Sequence, residues 1–192
     1  MLASIVNATL RILTFRAGPQ DFPYDPKLTA PLVLLAALAT GLQAMPLLPF
    51  AGAVAAAIAT VAALAMATRF VLRMRQLDAR FHQTFAALLA TNAVLTLLIV
   101  PFASQLAPAL HEISANPALI EHPEQMKATL PLGVTFLMLL LSFWSLLVNA
   151  SIFRHALNAT YFVGLMIAFG VALTLQVFVN VIVSLVVGTS AT

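Results

Sequence analysis

The chain has 192 residues, of which 62% are hydrophobic and only 8% charged, whereas a water-soluble domain of ordinary composition carries charge on about a quarter of its residues. Lipid rather than water must solvate most of it. The net charge of +3 rests on nine Lys and Arg against six Asp and Glu, too few and too scattered for a nucleic-acid footprint, and the lack of cysteine excludes disulfides, thiolate metal sites and cysteine nucleophiles.

The first predicted element is a helix over residues 2 to 15. Apolar Leu2, Ile5, Val6, Leu10 and Leu13 are interleaved with Ser4, Asn7, Arg11 and Thr14, and those polar intervals of three and four draw one stripe along a helix. Leu2, Ile5, Val6 and Leu10 precede Arg11 and Arg16, the reverse of the charge-first order of a secretory signal. The expectation is an amphipathic helix in the headgroup layer. Pro19, Pro23 and Pro26 follow; each removes an amide donor and restricts the residue before it. Residues 1–27 are thus read as interfacial helix plus stiff linker.

Leu28 to Ala67 carries no charge, and one helix over that run would extend about 60 Å, roughly twice a hydrocarbon core. Gly41, Pro46 and Pro49 divide it, predicting spans near 28–44 and 48–70. On the second span Gly52 and Ala56, and the series Ala55, Ala59, Ala63 and Ala67, stand four apart. Such a bare face permits close helix approach, so this helix is expected at the centre of the bundle. Arg69, Arg73, Arg75 and Arg80 come next with no Gly or Pro among them. They predict a helical extension beyond the bilayer that anchors topology or contacts anionic lipid or a partner.

A third span is predicted near 82–106, with Pro101 as kink or exit and Asn92 near mid-depth. In the polar loop 107–129, His111, Glu112, Glu121, His122 and Glu124 have the ligand chemistry for a divalent ion. The zinc-protease pattern that begins at His111 needs a second histidine where Ala115 stands, so a solvated acidic loop is preferred and no metal is assigned. Two more spans follow near 130–153 and 159–187, with a tail at 188–192; residues 28–187 form a single transmembrane domain. Thr135, Ser142, Ser145 and Asn149 share one face of the fourth span, and Gln176, Asn180 and Ser184 one face of the fifth.

With Asn92, the residues Ser142, Ser145, Asn149, Gln176 and Asn180 form a candidate intramembrane polar cluster, either interhelical glue or a path for a small solute or proton. No Asp, Glu, Lys or Arg lies at mid-membrane, where coupled transporters usually keep one, and this favours glue. His82 and His155 end the third and fourth spans on one side, a conceivable bis-histidine haem pair, but each adjoins polar neighbours and no cofactor is assigned. No hydrolase elbow, phosphate-binding glycine loop or intramembrane aspartate pair occurs, so the chain is read as non-enzymatic.

The cations test this parse. All except Lys127 fall on one side of a five-span layout, as retention of Lys and Arg in the cytoplasm requires. The expected fold is an all-α integral membrane bundle of five transmembrane helices preceded by the interfacial helix. Its N-terminus is expected inside and its C-terminus outside, in a bacterial inner membrane on the strength of the Ala and Leu content.

An N-terminal amphipathic segment, the proline-rich approach Gly18-Pro19-Gln20-Asp21-Phe22-Pro23 and five spans together resemble the small bacterial members of the Yip family. These are five-span membrane proteins whose eukaryotic relatives interact with Rab GTPases. The eukaryotic Asp-Leu-Tyr-Gly-Pro signature and long cytoplasmic head are absent, so no Rab-type activity is carried over. The resemblance implies a non-catalytic membrane scaffold, trafficking or assembly factor, with membrane lipids and another membrane protein or a second copy as partners. The alternatives are a small-solute or proton transporter or channel using the polar stripe, and an accessory subunit of a larger membrane complex.

Overall fold

The structure, a computed structural model, describes residues 2–121, 127–128 and 131–189. Six α-helices follow one another: α1 (Leu2–Leu13), α2 (Thr29–Ala44), α3 (Phe50–Met74), α4 (Phe81–Ala115), α5 (Leu132–Leu157) and α6 (Tyr161–Thr189). Short 3-10 turns lie at Pro19–Asp21, Pro26–Leu28, Asp78–Arg80 and Pro117–Ile120, and the described residues form no strand. Helices α2 to α6, with the turns that lead into α2 and α4, are long and apolar enough to cross a membrane. The expected all-α bundle of five spans is therefore what forms.

The helices close into a ring. α2 packs on α3 and α4, α3 on α6, α6 on α5, and α5 back on α4. One end of the ring holds the turn bearing Arg75 and Arg80, where an Arg80 guanidinium N–H donates to the Ala156 carbonyl at 2.8 Å; this is the arginine end. At the far end the His111 ring nitrogen bonds the Pro46 carbonyl at 2.8 Å, which ties α4 to the α2–α3 turn.

Small residues set the closest crossings. A Cβ built on Gly164 would come within 2.4 Å of the Ala150 carbonyl oxygen, so α5 and α6 approach there as only glycine permits. The series Ala55, Ala59, Ala63 and Ala67 does meet another helix, flanking α6 residues such as Phe178. The expectation that this second span is the central one fails. Over their most apolar windows α4 is 56% buried and α3 44%. The reason is that α4 packs on α2, α3 and α5 and also receives α1 and the linker, whereas the alanine face of α3 serves mainly its contact with α6.

Two further expectations change. The Arg69 to Arg80 segment is not one continuous helix: α3 stops at Met74, and Gln76 adopts the left-handed region at φ 55°. The Leu77 and Gln76 amides donate to the Leu72 and Arg73 carbonyls, a Schellman ending that satisfies the last carbonyls. What closes it is Leu77, packed against the core, because burying its side chain outweighs the cost of roughly 1–2 kcal/mol for a non-glycine left-handed residue. In the other direction, Pro101 does not end α4, which runs on through Pro108 to Ala115. Each proline forfeits one backbone bond, but Ala103, Leu106, Ala107 and Ala109 remain buried along the extension, and this packing holds the helix together.

The N-terminal segment is docked rather than free. α1 buries Ala8, Thr9, Ile12 and Leu13 against α4 and α5. Phe22 of the linker is buried, with its carbonyl accepting from the Gln83 amide at 3.2 Å. Phe15 meets Trp144 edge to face at 5.2 Å between ring centres. Trp144 lies roughly 20 Å along α5 from its arginine end, so the residues after α1 run along the side of the bundle.

Candidate functional site

The predicted polar cluster divides into an inner and an outer part. Asn92 on α4 and Asn149 on α5 face each other inside the ring, the Asn149 side-chain amide donating to the Asn92 carbonyl oxygen at 3.3 Å. Gln176 and Asn180 are exposed on α6, where the Gln176 amide donates to the Asn180 carbonyl oxygen at 3.1 Å. Ser142 is exposed and Ser145 half-buried; neither lines the interior with Asn92.

Around the Asn pair lies a cavity of about 240 Å³ to which all five spans contribute. Thr40 and Gln43 come from α2, Thr60 from α3, Asn92 and Thr96 from α4, and Asn149 from α5, against an apolar wall that includes Leu64, Leu88, Phe153 and Leu175. No lining residue is charged. The Thr40 hydroxyl donates to its own helix at Ala36, while the Asn149 carbonyl oxygen is buried without a hydrogen-bond partner. Such an orphan costs about 1–3 kcal/mol. Thr40, Gln43, Thr60 and Thr96 were not singled out in the sequence. Their signal is faint: isolated polar residues within apolar spans, with no periodic stripe to mark them.

A second cavity, of about 290 Å³, opens at the arginine end between the linker, the start of α4 and the end of α5. Pro19, Gln20, Arg80, Gln83, Thr84, His155, Ala156 and Asn158 line it. The His155 Nδ1 donates to the Ser151 carbonyl at 2.8 Å, since a carbonyl can only accept. The Thr84 hydroxyl, fully buried, has no partner, and neither has that of Thr68 on α3.

Of the four predicted basic residues, Arg69, Arg73 and Arg75 are exposed and Arg80 is half-buried. Arg69 stands 6.0 Å over the Phe81 ring, and Arg80 is engaged with Ala156, so three of the four present their charge outward. Among the described residues no group of three or more His, Cys, Asp and Glu could hold a metal ion. His111 bonds Pro46, and Glu112 accepts from the Lys127 and Ala128 amides at 2.9 and 2.8 Å, so both serve to pin the far-end loop. His122 and Glu124 lie outside the described residues.

Fold and cavity together define a class, an integral membrane helical bundle with an uncharged cavity of mixed polar and apolar lining. Comparison with protein-family models, curated proteins and solved structures returns no match.

Proposed function

We propose that the protein is a non-catalytic membrane scaffold or assembly factor that pairs with another membrane-embedded helix, from a second protein or a second copy, and rests on anionic lipid through its arginine end. The observation that carries this reading is the outward position of Gln176 and Asn180 on α6. Their mutual bond uses one donor and one acceptor and leaves the remaining amide groups turned toward hydrocarbon, where polar groups find no water and partners on another helix are favoured. Val177 and Val181 flank them on the same exposed surface. The exposed Arg69, Arg73 and Arg75 suit a cytoplasmic leaflet rich in anionic headgroups, each cation contributing about 1 kcal/mol near such a surface. Docked α1, with Val6 and Leu10 exposed beside Arg11, adds apolar surface to that same leaflet.

The chain contains no cysteine, so a single Val177→Cys or Val181→Cys replacement reports unambiguously. Crosslinking in native membranes should trap a higher-mass species through these positions. Recovery of only the lone chain from both would refute the reading.

A further inference from the structure

We propose that the interior cavity is the binding site of a small uncharged solute rich in hydrogen-bonding groups, of the polyol or amide class, and that the solute reaches it from the arginine end past a barrier one helical turn thick. This does not depend on the scaffold reading, which rests on the outer face of α6.

The chemistry of the lining selects the guest. The Asn149 carbonyl oxygen is buried and unpartnered, so the guest must bring a donor to it. Gln43, Thr60 and Thr96 add amide and hydroxyl groups around the same space, able both to donate and to accept. With no charged residue in the lining, an ion would sit in a low-dielectric interior without a counter-charge, which is strongly unfavourable. A volume of about 240 Å³ admits one compact solute or several waters, each water occupying about 30 Å³ of liquid.

The route follows from the spacing of two helices. On α4, Leu88 lines the interior cavity and Thr84, one turn earlier, lines the arginine-end cavity. On α5, Phe153 lines the interior cavity and Ala156 the other. The wall between the two spaces is therefore about one turn, or 5.4 Å, deep, and Leu88 and Phe153 are its apolar part, both fully enclosed. Inside that layer lies a hydroxyl without a partner, that of Thr84; the equally unpartnered Thr68 hydroxyl stands one turn beyond Leu64, another residue of the interior lining. A rotamer change at Leu88 or Phe153 would join the cavities, and the Thr84 hydroxyl would then have a guest to bond as it passes. On the opposite side Thr40, Gln43 and Thr96 carry the polar lining toward the α2–α3 turn.

The test is osmotic re-swelling of sealed vesicles containing the purified full-length chain, with glycerol and urea as probes and light scattering as the readout. The wild-type protein should accelerate re-swelling by one or both probes several-fold over protein-free vesicles. Asn149→Leu should return the rate to the protein-free level while its helical circular dichroism stays intact, and Leu88→Ala, which thins the barrier, should raise the rate above wild type. Two results would overturn the proposal. One is wild-type vesicles indistinguishable from empty ones for both probes, including the case in which water alone crosses faster. The other is a Leu88→Ala rate no higher than wild type together with unchanged flux in folded Asn149→Leu.

Discussion

The two halves of the bundle differ in how they are held. Toward the arginine end, Thr84 to Thr91 of α4 are buried without a break, as are Ala150 to Phe153 of α5, and α1 and Phe22 add another layer. Toward the far end no residue of α5 from Leu132 to Leu147 is buried, and Leu132, Phe136, Leu139 and Phe143 are exposed. Among its described residues α6 buries only Gly164 and Ala168, both in its first turns. The lesson is that lipid changes the meaning of an exposed apolar residue. In water the far parts of α5 and α6 would be a defect; in a bilayer they are surface, free to meet lipid or another helix, while α3 and α4 stay packed along both halves.

Substitutions can break this contrast. Gly164→Leu should have the largest effect, because its new side chain must displace the Ala150 backbone; overpacking of this kind costs about 3 kcal/mol or more, and thermal denaturation in detergent should show a large loss of stability. Phe22→Ala removes a fully buried ring and should cost about 3 kcal/mol, with release of the N-terminal segment seen as faster proteolysis before Pro26. In between, Asn92→Leu alone strands the Asn149 amide and should cost about 1–2 kcal/mol, whereas Asn92→Leu with Asn149→Leu should lose much less, since both partners of the bond leave together. At the small end, Phe136→Ala and Leu139→Ala on the exposed half of α5 should stay within about 0.5 kcal/mol of wild type. A far-half substitution as damaging as Phe22→Ala would erase the distinction between packed and open halves.

Span number and order were legible because hydropathy and cation spacing are properties of segments, and a segment's solvent is set by its composition. Position within the ring was not. The alanine face of α3 spoke for close contact but could not say with which helix, and α4 became the central element by packing on α2, α3 and α5 and also receiving α1 and the linker, which no local pattern announces. Helix ends were misjudged where tertiary burial decided them: Leu77 ended α3 early, and Leu106 and Ala109 carried α4 past two prolines. The candidate cluster was divided for a related reason. Asn92 was singled out by its depth and Asn149 by its place in a polar stripe, but spacing along one helix cannot tell an inward face from an outward one, and Gln176 and Asn180 face away.

The central claim is that α2 to α6 cross a bilayer in alternation, so that the turn at Arg75 and the turn at Met45 emerge on opposite sides. Because the native chain is free of thiols, Arg75→Cys and Met45→Cys can each be probed with a membrane-impermeant maleimide on intact cells and on inverted vesicles. The account predicts that Met45→Cys labels from outside intact cells and Arg75→Cys only in inverted vesicles. Labelling of both positions from the same side would contradict it.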